Sequence, residues 1–274
     1  MILASFPSPP FNRFDIGPLT IHIYGITMGL AVATAWLLTV RRYQRLGGDP
    51  AVAERVAFWA VVCGFTGARI AYVSTHWYRF DNDWLGVFRI WEGGIAMFGG
   101  LTAGALAVVW VIRRSGGSFP AFGDAVAVGL PAAQAIGRWG NYFNQELFGT
   151  PTAVPWALEI DPAHRPAQYA DSATFHPTFL YESLWSIAIV FVLLWVERRF
   201  RLRRGSLLLC YLISYGTIRF LLELIRTDTT FRFLGMSRNG WVATGVVLGA
   251  STWLVWRESR SRQPSVISPT LTDD

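Results

Sequence analysis

The sequence predicts an all-α integral membrane protein of about seven transmembrane helices with a polar outer-loop region. Three observations carry that expectation. Of its 274 residues 52% are hydrophobic, 15% are charged and 13 are Trp, and a mean hydropathy of +0.34 is too apolar for a soluble domain of this size. Apolar stretches of spanning length recur along the chain, and arginines gather after alternate ones.

The apolar segments lie near 18–40, 54–75, 94–112, 120–138, 177–197, 206–225 and 239–256. Each has about 20 residues, the length a helix needs to cross about 30 Å of hydrocarbon. The stretch Pro7-Ser8-Pro9-Pro10 is a short ordered or interfacial lead-in. The first segment lacks a basic n-region and a small-residue cleavage site, so it is expected to be a retained helix. Arg41, Arg42, Arg45 and Arg55 follow the first span, and Arg113 and Arg114 the third. Arg198, Arg199, Arg201, Arg203 and Arg204 follow the fifth, and Arg257, Arg260 and Arg262 the seventh. That alternation puts these connections in the cytoplasm, and the N-terminus and the loops around 76–93, 139–176 and 226–238 outside. The expected organisation is one polytopic domain over 1–262, with an outer-face loop at about 139–176. The Ser-, Thr-, Pro- and Asp-rich residues 263–274 form a disordered cytoplasmic tail.

The net charge of +6 and pI of 9.7 report topology and contact with anionic lipid, and give no argument for nucleic acid. All 24 basic residues are Arg, which reads as codon bias. Cys63 and Cys210 fall in different spans without CxxC spacing and read as small core residues. The four histidines are scattered and no H-E-x-x-H occurs, so metal chemistry is not expected.

Polar residues inside spans are costly and usually face a bundle interior or a cavity. The fourth segment carries Asp124, Gly129, Pro131, Gln134 and Gly137 ahead of Arg138, so it is expected to be central and closely packed. In the sixth, Arg219, Glu223 and Arg226 are spaced i, i+4, i+7 and share one face. Plainer readings stand beside each. Arg219 and Glu223 also fit a self-neutralising intrahelical pair, Arg226 a snorkelling residue, Arg69 a helix-packing residue, Asp124 an N-cap, and Tyr24 a member of an aromatic belt. The combination of several arginines with Asn141, Asn144 and Glu146 exceeds what packing requires and points to a cavity for an anionic headgroup.

The run from Gly137 to Gly149 reads GRWGNYFNQELFG. It resembles the G-R-x-G-N-[FY]-x-N-x-E-x-x-G segment of the bacterial prolipoprotein diacylglyceryl transferases. Similar matches continue in the family's order over nearly the whole chain: His22-Ile23-Tyr24-Gly25, Gly67-Ala68-Arg69, Trp91-Glu92-Gly93-Gly94, His176-Pro177 with Leu180-Tyr181-Glu182, and Arg219-Phe220 with Glu223 and Arg226. The resemblance implies a multi-pass enzyme of the bacterial inner membrane, with its N-terminus outside and its C-terminus cytoplasmic. It implies transfer of the sn-1,2-diacylglyceryl group of phosphatidylglycerol to the lipobox cysteine thiol of a preprolipoprotein. This is the first step of lipoprotein maturation, leaving glycerol 1-phosphate and needing no cofactor.

Displacing a phosphate ester at carbon needs a thiolate and stabilisation of the charge gathering on the leaving phosphate. Tyr24, Arg138 and Arg219 are the expected catalytic residues. Arg138, Asn141, Asn144, Glu146, Glu223, Arg226, Arg69 and His176 are expected to hold phosphatidylglycerol. The arginines suit bidentate bonds to phosphate, Asn141 and Asn144 suit glycerol hydroxyls, and Gly137 and Gly140 let backbone approach the headgroup. One position departs from the pattern: some family members carry a histidine before the Gly-Gly opening the third helix, and here it is Phe98. The thiol proton then needs another route, by a phosphate oxygen, a water or Tyr24. Two alternatives stand: an inactive lipid-binding paralogue, which Phe98 favours, and an anion or lipid transporter, which the absence of internal repeats disfavours.

Overall fold

The computed structural model describes residues 5–17, 19–81, 83–89, 93–226 and 232–260. Among them are seven α-helices: α1 (Ile23–Arg45), α2 (Pro50–Thr75), α3 (Met97–Arg114), α4 (Phe119–Phe143), α5 (Thr178–Arg199), α6 (Ser206–Glu223) and α7 (Arg238–Ser259). Antiparallel two-stranded ribbons join β1 (Arg13–Ile16) to β2 (Leu19–His22), β3 (Leu158–Glu159) to β4 (Thr174–Phe175), and β5 (Arg232–Phe233) to β6 (Met236–Ser237). Six helices, α1 to α6, are long and apolar enough to cross a membrane; this is a multi-pass membrane protein. Although α7 has 22 residues, Gly240, Gly245, Gly249, Thr244, Ser251 and Thr252 dilute its apolar run.

Each expected segment contains one helix, its ends moved by up to five residues, and two of the shifts bear on the site. The first helix starts at Ile23, because Leu19–His22 pairs as β2 with β1 across Gly17, at φ 58°. The fourth continues to Phe143, so Arg138 and Asn141 are helical residues whose directions are fixed. As the fourth segment's polar content suggested, 56% of the apolar window of α4 is buried, against 11% for α1. Asp124 lies inside α4 and is buried, which rules out the N-cap reading. Trp91 and Glu92 and the expected disordered tail lie outside the described residues.

Two compact units divide the chain: Met1–Ala31 with Leu130–Asp274, and Val32–Gly129. In the Val32–Gly129 unit, α2 and α3 cross on small residues. A Cβ added to Gly67 would lie 2.3 Å from Ala103 Cβ and 2.8 Å from Gly99 O, and one added to Gly99 would lie 2.6 Å from Gly67 O. Close backbone approach of this kind is how helices associate where lipid removes the hydrophobic drive. Asp49 caps α2 by accepting from Ala51 N at 2.9 Å, with Pro50 in the first turn. At the opposite side of the α2–α3 connection, buried Arg69 gathers the loop. Its Nε donates to Val87 O, Nη1 to Gly93 O and Gly94 O, and Nη2 to Gly86 O and Arg89 O, at 2.6–3.4 Å. Gly93 and Gly94, at φ 86° and 74°, make the turn that presents two of those carbonyls.

In the other unit, α6 and α7 meet at Gly216, where a Cβ would lie 2.7 Å from Val247. Buried Ser183 on α5 donates to Ala135 O on α4 at 2.8 Å. The segment between α4 and α5 forms an ordered lobe. Phe148, Leu158, Ile160, Phe175 and Phe179 make its small core, with Phe6 and Tyr142 against it. The N-terminal lead-in is ordered too, since Phe6 bridges to Leu158 and its ring meets Tyr142 at 5.3 Å.

Candidate functional site

The site is built where α4 ends and α6 gives way to Arg226. Residue spacing on α4 sends Arg138 and Asn141, one turn apart, toward the same side. Arg138 Nη2 lies 2.6 Å from Glu182 Oε2 and 3.3 Å from the Tyr215 hydroxyl. Glu182 is 3% exposed, and its other oxygen lies 3.7 Å from Arg226 Nη1. One carboxylate on α5 thus stands between two guanidiniums from other parts of the chain. On α6, Arg219 Nη2 meets Glu223 Oε2 at 2.7 Å. The expected i, i+4 pair is present. Arg226 is 7% exposed, so it faces inward and is no snorkelling residue.

Among the described residues, Arg138 and Arg226 share Glu182, and Arg219 pairs with Glu223. Arg219 Nη1 is buried and has no hydrogen-bond partner among the described residues. A buried donor left without an acceptor costs about 1–3 kcal/mol, and an anion supplied by a ligand removes that cost. Gln134 Oε1 is likewise buried without a hydrogen bond among the described residues.

Beyond Arg138 the chain leaves α4 through a constrained turn. Asn141, 6% exposed, donates from Nδ2 to Glu146 Oε1 at 2.9 Å, and Asn144 Nδ2 lies 3.5 Å from the same oxygen. Glu146 is exposed and so stands open to a ligand. Gln145 and Leu147 on either side adopt φ of 51° and 57°, a left-handed geometry that stores strain when surroundings enforce it. The surroundings are explicit. Gln145 Nε2 donates to Asp161 Oδ2 at 2.5 Å and its Oε1 accepts from Asp161 N at 2.8 Å, while Leu147 O accepts from Thr178 Oγ1. A Cβ on Gly149 would sit 2.8 Å from His176 Cβ, so the motif's last glycine permits the chain's passage there.

Tyr24, on the first turn of α1, packs on Gly140. A Cβ there would lie 2.8 Å from Tyr24 Cδ2 and 2.7 Å from Thr27 Oγ1, which explains the glycine. Tyr24 also lies in the field of Arg138 and Glu146. The structure therefore brings Tyr24, Arg138, Asn141, Asn144 and Glu146 into one contact network, and Arg219, Glu223 and Arg226 to the end of α6.

Two expected residues have partners of their own. His176 lies in the seam between lobe and α5: its Nδ1 is 3.1 Å from the Tyr181 hydroxyl, which accepts from Trp156 Nε1 at 2.9 Å. Burial pushes its imidazole below the usual range. Arg69 has all five donors on loop carbonyls, an arrangement that assigns it to holding the 86–94 connection rather than a phosphate. Phe98 is half exposed on α3.

The sequence alone assigns Glu182 no role and does not single out Tyr215 or Gln145. A carboxylate within an apolar span was the available signal for Glu182; Gln145 offered none.

Fold and side chains together define a polytopic helical membrane protein with buried arginine–carboxylate pairs and a guanidinium donor left without a hydrogen-bond partner among the described residues. Comparison with known proteins narrows that class. The chain belongs to the prolipoprotein diacylglyceryl transferase family, whose model matches residues 12–256. It is 42% identical to phosphatidylglycerol–prolipoprotein diacylglyceryl transferase 2 of Streptomyces coelicolor, over 97% of this chain and 84% of that protein. Identity to the corresponding transferase of Cutibacterium acnes is 43%, over 93% of this chain and 88% of the other. With that of Paenarthrobacter aurescens it is 38%, over the full chain and 91% of the relative.

Proposed function

We infer that this protein transfers the sn-1,2-diacylglyceryl group of phosphatidylglycerol to the lipobox cysteine of a preprolipoprotein, on the outer side of the bacterial inner membrane. The N-terminus then lies outside and the C-terminus in the cytoplasm, as the arginine alternation requires. The observation that carries the reading is the buried pairing of Arg138 and Arg226 on Glu182 and of Arg219 on Glu223, with Arg219 Nη1 left without a hydrogen-bond partner among the described residues.

The geometry suits the chemistry. The cysteine sulfur attacks the glyceryl carbon that bears the phosphate, the S–C bond forms, and the C–O bond breaks with its electron pair moving onto the phosphate oxygen. Glycerol 1-phosphate departs, and the thiol proton leaves the sulfur. Arg219, through its spare donor, and Arg138, at the exposed edge of its ion pair, stabilise the charge arriving on phosphate. Glu182 and Glu223 position those guanidiniums in advance, so little reorganisation accompanies the step. Asn141, Asn144 and Glu146 offer hydrogen-bonding partners for the glycerol hydroxyls. The Tyr24 hydroxyl beside Gly140 relays the thiol proton, giving its own proton to an oxygen of the departing phosphate as it accepts, a duty that Phe98 cannot perform.

Phe98 favours the second reading, a lipid-binding relative without turnover. Purified protein incubated with phosphatidylglycerol and a lipobox peptide separates the two, with mass spectrometry following the diacylglyceryl thioether. Product on the Cys peptide and none on its Cys→Ser control supports the transferase. Lipid retained with no product supports the inactive reading.

A further inference from the structure

A second group of arginines converges at the other end of α6. Arg203, Arg257 and Arg260, with Trp256, line a cavity of about 340 Å³. Reciprocal backbone clasps fix two of them: Arg203 Nη1 donates to Arg257 O at 3.0 Å, and Arg257 Nη2 to Arg204 O at 2.6 Å. Among the described residues, carbonyls rather than carboxylates accept from these two guanidiniums. Arg260 lies 4.3 Å from the Trp256 ring centroid, within cation–π range. The neighbouring Glu258 turns Oε1 to the Ser206 hydroxyl at 2.7 Å and to Arg203 N at 3.3 Å. Arg257 Nε is buried and has no hydrogen-bond partner among the described residues. The N-terminus of α6 at Ser206 adds its own partial positive charge.

Arginines that merely end a transmembrane span keep their heads in water and need no cavity. Here three guanidiniums surround one, and no Asp or Glu lines it among the described residues. With 18 residues, α6 is about 27 Å long, so this cluster and Arg219–Glu223 lie on opposite faces of the bilayer. We propose that the cavity binds the phosphate of an anionic phospholipid headgroup from the leaflet opposite the Arg138–Arg219 site. Guanidinium forks match phosphate oxygens bidentately. Trp256 and Trp253, with centroids 5.4 Å apart, mark headgroup depth, and Arg198 and Arg199 in the last turn of α5, with Arg201 and Arg204 on the adjoining connection, draw anionic lipid toward it.

The test is thermal unfolding of the full chain in phosphatidylcholine nanodiscs, with and without phosphatidylserine or added inorganic phosphate. Phosphatidylserine is chosen because it is not the proposed acyl-glyceryl donor. We expect it to raise the wild-type Tm by about 3 °C, a shift from ligand-linked stabilisation. Arg203→Gln/Arg260→Gln abolishes the shift, and Arg203→Lys/Arg260→Lys, which keeps the charge, loses most of it. Arg260→Gln alone, which leaves both clasps intact, loses about half. An equal shift in the Gln double variant overturns the site, and an equal shift in the Lys double variant reduces it to surface charge. The full shift from inorganic phosphate alone overturns the lipid assignment in favour of free phosphate.

Discussion

Replacing Glu182 with Gln keeps the side chain's shape and removes the charge that stands between Arg138, at 2.6 Å, and Arg226, at 3.7 Å. Breaking a buried ion pair at one end costs about 3–5 kcal/mol, because the partner is left charged and uncompensated. Arg138 keeps 21% of its side chain exposed, so water moderates the loss and about 3 kcal/mol is expected, the low end of that range. At about 2–4 °C per kcal/mol for a chain of this size, Tm falls by about 6–12 °C. The same change frees Arg138 from its anchor, and a displacement of about 1 Å in a positioning group costs about 100-fold in rate. Thermal unfolding and the peptide transfer assay, run on one preparation, read both numbers. Turnover within about twofold of wild type together with an unshifted Tm would refute the claim that this carboxylate holds the two guanidiniums.

Arg138→Ala should abolish transfer while leaving a folded protein, and wild-type rates in that variant would reject its role at the leaving phosphate. Tyr24→Phe should lower turnover by about 100-fold or more with phosphatidylglycerol binding unchanged, as loss of an acid–base group does; full turnover rejects the proton route. Arg69→Lys, with three donors for five carbonyls, should cost about 2 kcal/mol, seen as a lower Tm; an unchanged Tm shows that the loop does not depend on the guanidinium. For pH, His176 has a folded value depressed by burial. The unfolded chain therefore binds the proton first, and stability should fall as pH drops below about 6.5 toward the folded value. His176→Gln should remove that step from a Tm–pH profile. The hydrogen bond from Gln145 holds the Asp161 carboxyl below the usual range, so its contribution is present above pH about 4 and disappears below it.

The helices were legible because spanning length and arginine placement are written in one dimension. Boundaries were less so. Thr20 and Ile21 are as apolar on average as a helix start, and pairing with β1 decided their state. Within the site, Arg219 and Glu223 were readable because both partners sit one turn apart on one helix. Glu182 was not, since its partners lie on α4 and beyond the end of α6, where no periodicity shows them. Arg226 was ambiguous for the same reason: an arginine at the end of a span is written identically whether it snorkels or turns inward. Gly67 was quoted for the family motif, yet its reason is steric, the close crossing of α2 on α3. Arg69 likewise was a candidate phosphate ligand until its five acceptors, 17–25 residues away, were visible.

The stretch from Gly137 to Gly149 does two jobs, and they are joined at Glu146. Its helical half aims Arg138 and Asn141 into the cluster. Its exit half, through Gln145 and Leu147 in left-handed conformations, is tied to the lobe at Asp161 and to α5 at Thr178. Such conformations cost about 1–3 kcal/mol each and persist only where contacts over-determine them. Glu146 lies between the two strained residues and accepts from Asn141, so its carboxylate is placed by lobe contacts made 16 residues further along the chain. A lobe held this way orients the Glu146 carboxylate, and a change at Asp161 should reach the Asn141–Glu146 contact even though Asp161 touches none of the arginines described there.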